Sequence, residues 1–183
     1  MSRRILLTAL PALLAPWRAK ADFVTSAGGS AAHGITPLYS TFSSVGNGAD
    51  TTEDTLQTYV VPASTLVNVG DRLRIELFGT LAASADTKTI RVRLNAGTAI
   101  ATYAASAAGQ TTWALWVSIA KTGPNAQSAT GQSLGSSNSS NANGTTTSIT
   151  DTSPITITVT GQNSTTATAG SLTCRYMTVD YLY

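Results

Sequence analysis

The sequence predicts an all-β fold: a jelly-roll-like antiparallel β-sandwich behind an extended or short helical N-terminal tail. Three observations carry the prediction. Apolar and polar residues alternate with period two in several short runs. Gly, Asn and Pro separate those runs as turn residues do. No long stretch of the body shows an apolar stripe at the helical period of about 3.6.

The chain has 183 residues, a length that suits one domain with a tail. Charged residues make up 11%, against roughly 25% in ordinary soluble domains. Ser and Thr together number 51 and Ala 27. This composition excludes a coiled coil and a charged disordered tail. A single Cys and a single His exclude a disulfide framework and a zinc finger. They also leave little for metal or acid–base chemistry, so no cofactor is expected.

Taken in order, residues 1–21 form a signal-like or particle-docking tail, residues 22–35 a flexible linker, and residues 36–183 the sandwich. The tail opens with Arg3 and Arg4. An apolar stretch follows, with Ile5, Leu6, Leu7, Leu10, Leu13, Leu14 and Trp17. Ala19-Lys20-Ala21 has the small-x-small form of a cleavage site. Pro11 and Pro16 interrupt the stretch, which falls short of the roughly 20 residues of a membrane span. It reads either as a removable secretory signal or as a retained tail that docks on a partner. Residues 1–21 carry Arg3, Arg4, Arg18 and Lys20 and no acid, a charge of +4, so the +2 of the whole chain leaves −2 for the rest. The linker, rich in Gly, Ser and Ala, includes His33.

The body then reads strand by strand. Thr55 to Val61 is β-rich and stops at Pro62. Leu73, Ile75 and Leu77 share one face of the next strand, with Arg72, Arg74 and Glu76 on the other. Ile90, Val92 and Leu94 alternate with Arg91 and Arg93 in the same way. Arg72, Arg74, Arg91 and Arg93 are expected to line one outward face. They serve either as solvated residues paired with Glu76 and Asp71 or as a patch for phosphate, glycan or an acidic partner surface; no nucleic-acid footprint is expected. Asn95-Ala96-Gly97 makes a turn, with Gly97 free to take positive φ. Thr98 to Tyr103 is its hairpin partner.

Thr111 to Ala120 is the longest strand candidate. Trp113, Leu115, Val117 and Ile119 lie on one face and Trp116 on the other, so burial on both sides is expected. Lys121 to Asn125 closes it, and Ala126 to Leu134 is a weaker strand. Gly135 to Thr147 has no apolar residue larger than Ala and is expected to be a long exposed loop. Ser136, Asn138, Asn141 and Asn143 are its candidates for contact with a glycan or host surface. Ile155, Ile157 and Val159 alternate with threonines. In the last strand Leu172, Cys174 and Tyr176 are in phase, and Met177, Val179, Tyr181 and Tyr183 are one residue out of phase. The slip predicts a β-bulge near Tyr176–Met177, or a strand passing from core to interface. Trp113, Trp116, Tyr181 and Tyr183 are the candidate subunit-interface residues.

Catalytic signals are sparse. His33 sits in the linker, without the rigid support a general base needs. Cys174 reads as a small buried apolar residue. The acids are scattered, with several in turns, and Asp71 after Gly70 suits a turn-closing role. Glu53, Asp54 and Asp50 lack the dense spacing of a calcium loop. No metal site and no enzymatic activity are expected.

The segments Val61-Pro62-Ala63-Ser64-Thr65-Leu66, Val69-Gly70-Asp71-Arg72-Leu73-Arg74-Ile75, Phe78-Gly79-Thr80 and Thr87-Lys88-Thr89-Ile90-Arg91-Val92 form a recognisable series. It resembles a β-sandwich module of tailed-bacteriophage virion proteins: head fibres, capsid decoration proteins and tail-fibre tips. The resemblance covers roughly Leu56 to Tyr183. It implies a jelly roll, a trimer like the tumour-necrosis-factor and C1q heads, and an N-terminal segment docked on the particle. The partners expected are a capsid or other virion protein, further copies of the chain, and a host-surface glycan. The expected location is the virion surface. The alternative is a secreted bacterial carbohydrate-binding module or adhesin with its signal removed.

Overall fold

The computed structural model describes residues 34–105, 109–135, 139–165 and 168–183. The docking residues expected between Arg3 and Trp17 lie outside these, as do His33, Ser136 and Asn138.

The described residues form strands and no helix. The strands are β1 (Ile35–Thr41), β2 (Val45–Gly46), β3 (Asp54–Val61), β4 (Arg72–Leu81), β5 (Lys88–Leu94), β6 (Ala99–Ala105), β7 (Thr112–Gly123), β8 (Ala126–Gly135), β9 (Ser139–Thr147), β10 (Ile155–Asn163) and β11 (Leu172–Leu182). They build two antiparallel sheets. The larger runs β1-β11-β4-β7-β8-β9, with β2 also paired to β11, and the smaller runs β3-β10-β5-β6. Without β2 and the β8–β9 hairpin, the orders β1-β11-β4-β7 and β3-β10-β5-β6 are those of an eight-stranded jelly roll. The hairpin is an insertion between β7 and β10 that widens the larger sheet.

The alternation read from the sequence supplies the core. Leu73, Ile75 and Leu77 of β4, Ile90 and Val92 of β5, Leu115, Val117 and Ile119 of β7, and Ile157 and Val159 of β10 are all buried between the sheets. Each such side chain stabilises the fold by roughly 1.5–3 kcal/mol. At one open edge of the sandwich, Tyr39 of β1 stacks on Tyr59 of β3 with centroids 4.6 Å apart. The Tyr59 hydroxyl donates to the Leu38 carbonyl at 3.3 Å.

The phase slip in the last strand is a β-bulge. The β11–β4 register shifts between Cys174 and Tyr176, one residue earlier than expected. Leu172 and Cys174 before it, and Met177 and Val179 after it, therefore all point inward and are buried. Tyr176, expected in phase with Cys174, is turned to the outer face.

Four expectations are corrected. First, the stretch expected as a loop over Gly135 to Thr147 holds β9, which pairs antiparallel with β8 from Gln127↔Thr147 to Leu134↔Ser139. Backbone pairing along an existing sheet orders a segment without apolar anchors. Asn141 and Asn143 thus lie in a strand.

Second, Arg72 and Arg74 belong to the larger sheet, and Arg91 and Arg93 to the smaller. The arginines occupy two different faces. The jelly-roll order places β4 in the larger sheet and β5 in the smaller, so the two strands separate. Third, in the β5–β6 turn the left-handed conformations fall on Asn95 (φ 49°) and Ala96 (φ 56°), not on Gly97. The Gly97 amide donates to the Leu94 carbonyl at 2.9 Å. Left-handed φ at both central residues makes this a type I′ turn, whose twist matches that of the strands. Fourth, Trp113 is 1% exposed within the core and has no surface to offer another subunit.

β1 escaped the sequence reading because Pro37 interrupts it. Pro is tolerated at a sheet edge, and the β1–β11 register shifts just after it, between Pro37 and Tyr39.

Candidate functional site

The two outer faces of the sandwich differ in chemistry. On the smaller sheet, β10 presents Thr156 and Thr158, and β5 presents Thr89, Arg91 and Arg93. Their charge is consumed internally. Arg93 grips the Glu53 carboxylate with both Nε (2.9 Å) and Nη2 (3.0 Å). Arg91 Nη1 donates to the same carboxylate at 3.2 Å, and the Thr160 hydroxyl donates to it as well. These bonds, led by Arg93, outweigh burial and hold Glu53 down at about 2.

On the larger sheet the outer face is apolar towards one end of the strands. Tyr176 of β11 lies opposite Phe78 of β4. Phe78 lies opposite Ala114 of β7, and Ala114 opposite Leu134 of β8. Phe42 packs on Tyr176 with ring centroids 5.1 Å apart. Phe42 is 78% exposed, Phe78 42%, Leu134 50% and Trp116 39%. Trp116 sits beside this row, on the same face of β7 as Ala114.

A groove of about 270 Å³ opens next to Trp116. Its geometry follows from register. Glu76, Trp116 and Gln132 stand opposite one another on β4, β7 and β8. Arg74, Ser118 and Thr130 form the next row. Arg74 Nη2 donates to Asp180 at 2.7 Å, and its Nε lies 3.5 Å from Glu76. The Asp180 bond is the main reason Arg74 holds its proton even more firmly than usual. Gln132 and Thr130 come from the inserted hairpin, without which β7 would be an edge and the groove would lack a wall.

A second apolar cluster lies at the end of the sandwich where β1 begins and β11 ends. Ile35 is 57% exposed, Val67 57%, Val69 68% and Tyr183 54%. Gly34 and Tyr183 exchange backbone hydrogen bonds at 2.9 and 3.2 Å. Tyr181 stacks on Tyr183 with centroids 5.3 Å apart. Burial, with the nearby Asp71, pushes the Tyr181 hydroxyl up to about 12. Asp71 closes the preceding loop as expected, accepting from the Val67 and Asn68 amides at 2.8 and 2.7 Å. The expected interface set is therefore split: Trp113 in the core, Trp116 on the broad face, Tyr181 and Tyr183 at the end.

Other candidates resolve structurally. Asp50 accepts from the Thr52 amide at 2.8 Å, and Asp54 from the Gly48 amide at 2.8 Å. With Glu53 bound to arginines, these three acids serve separate partners. Among the described residues no cluster of three or more His, Cys, Asp or Glu occurs that could hold a metal. Cys174 is buried, and desolvation pushes its thiol up to about 11. A hollow of about 400 Å³ lies between the β5–β6 turn and residues Thr145 to Ile149. No helix among the described residues is long and apolar enough to cross a membrane.

The sequence reading found Trp116 but missed its companions. Phe78 was legible as an apolar residue on the arginine face of β4. Phe42 and Leu134 carried no periodic signal.

No protein-family model matches the chain, and no curated protein matches it. Among solved structures it is similar to the CBM2 module of the evolved Dit of Lactobacillus casei BL23 phage J-1. That likeness has 8% identity and a TM-score of 0.34, and covers 68% of each chain. It is also similar to a protein of unknown function from Shewanella oneidensis MR-1, at 12% identity and a TM-score of 0.35, over 81% of this chain and 75% of that one. The class that the strand order defines is an antiparallel jelly-roll sandwich.

Proposed function

We propose that the chain is a non-enzymatic structural protein of a tailed-bacteriophage virion, a head fibre or capsid decoration protein. Residues 1–21 dock it on a capsid or other virion protein, and residues 22–35 link that tail to the jelly roll. The jelly roll assembles as a trimer at the particle surface, facing the host.

The observation that carries this reading is the apolar end formed by Ile35, Val67, Val69 and Tyr183. Clustered exposed apolar side chains mark interaction sites. This cluster lies where the chain enters its first strand, beside Gly34. Heterologous contacts closing a threefold ring there bring three entry points together. A head whose three chains enter their first strands at one end suits a particle-bound fibre. The resemblance of the Val61–Val92 segments to virion sandwich modules supports the same reading.

Light scattering on the full chain tests it. The expected mass is that of three chains, and Val69→Asp with Tyr183→Asp lowers it to one chain without unfolding the sandwich. A native chain that runs as a monomer overturns the trimer.

A further inference from the structure

The groove beside Trp116 is built unlike the apolar end, and the assembly reading leaves it unused. We infer that it is a saccharide site: Trp116 stacks on one face of a neutral hexopyranose of a host-surface glycan while the surrounding side chains bind its hydroxyls. This rests on the surface-attachment part of the proposed function and not on the trimer.

Pyranose rings have an apolar face of C–H groups and an equatorial belt of hydroxyls. A partly exposed indole on a flat sheet suits the first. Hydrogen-bonding groups at the height of the ring edge suit the second. Trp116 is 39% exposed on a central strand, flanked on one side by Glu76 and on the other by Gln132. Gln132 lines the groove with Trp116, and Glu76 stands opposite Trp116 on β4, about 4.5–5.5 Å away at Cβ. Ser118, two residues along β7, adds a hydroxyl with Arg74 and Thr130 on either side. The set offers donors and acceptors together, as a sugar hydroxyl, itself both, requires.

Charge selects among ligands. Arg74 is already shared between Asp180 at 2.7 Å and Glu76 at 3.5 Å. With Arg72 the next outward residue of β4, two cations stand against two anions, so the face has no excess positive charge for phosphate or acidic sugars. The same ionic set argues against a second copy of the chain as occupant, because the buried core of a protein interface is depleted of charged residues. The groove, at about 270 Å³, lies just below the 300–1,000 Å³ range of sites for drug-sized ligands, as suits a single sugar ring.

The test uses the full chain with cellohexaose, chitohexaose and maltohexaose as probes. Binding is read by calorimetry and by the Trp116 indole N–H signal in nuclear magnetic resonance. At least one probe is expected to bind and shift that signal, with Trp116→Ala weakening affinity about tenfold or more. Trp116→Phe should keep most of the affinity, and Gln132→Ala should lower it several-fold with the fold intact. Thr58→Ala, on the opposite sheet, should change nothing. The site is overturned if no probe binds, or if binding survives Trp116→Ala. It is also overturned if Trp116→Ala dissociates the native assembly, which would make the face a subunit contact. Saccharide binding by a monomeric chain supports the site while overturning only the trimer.

Discussion

Trp113 occupies the space that a side chain on Gly79 would need. The two residues are paired across β4 and β7. A β-carbon on Gly79 would lie 2.4 Å from the Trp113 indole nitrogen and 1.9 Å from the Thr173 carbonyl oxygen. That carbonyl accepts the Trp113 N–H at 3.1 Å. The glycine thus lets a central strand approach both the largest core side chain and its hydrogen-bond partner. Gly79→Ala is expected to destabilise the fold by about 3 kcal/mol, the upper range for overpacking. Urea denaturation checks this; an unchanged midpoint would show that β4 and β11 can part to admit the methyl.

The Glu53 cluster makes a statement about pH. Its carboxylate is lowered from an ordinary 4.5 to about 2, chiefly by Arg93. A depressed carboxylate contributes stability that is complete above its unfolded value and lost as pH falls through its folded value. Glu53→Gln should therefore cost about 1–2 kcal/mol at neutral pH, discounted for the partial exposure of the group. The gap between native chain and variant should close as pH falls from about 4.5 towards 2. Unfolding midpoints across that range decide it, and a gap constant with pH contradicts the ion-pair account.

The β5–β6 turn holds Ala96 at φ 56°. A left-handed backbone costs a residue with a β-carbon roughly 1 kcal/mol, which glycine avoids. Ala96→Gly should raise stability by about 0.5–1 kcal/mol despite the added freedom of the unfolded chain. Thermal melts measure it; a loss of stability would mean that the turn is relaxed with alanine.

Cys174 is the chain's one cysteine, and burial pushes its thiol up to about 11. At pH 8 the native thiol should react with Ellman's reagent about a hundredfold or more slower than the urea-unfolded chain. Equal rates would place Cys174 at a surface.

The fold was legible wherever one face of a strand is apolar and the other polar. β4, β5, β7 and β10 follow that rule, and their alternation specifies the core directly. β9 was not legible, because its order comes from main-chain pairing with β8, which leaves no side-chain pattern. The arginines were misplaced for a topological reason: alternation shows which face of a strand is outward but not which sheet the strand joins. The site was half legible. Trp116 stood out by opposing Trp113 on one strand, whereas its partners Glu76 and Gln132 depend on the β4–β7–β8 register, which no local pattern encodes. Tyr176 was assigned inward because the bulge falls before it rather than after it.

The trimer built on the Ile35–Val67–Val69–Tyr183 end is the central claim of the assembly account, and the mass of the full chain in solution tests it most directly. Each chain is 18.8 kDa. The account predicts a mass near three chains, falling to one when Val69 and Tyr183 are both replaced by Asp. A native mass of one chain, with the sandwich folded, would contradict it.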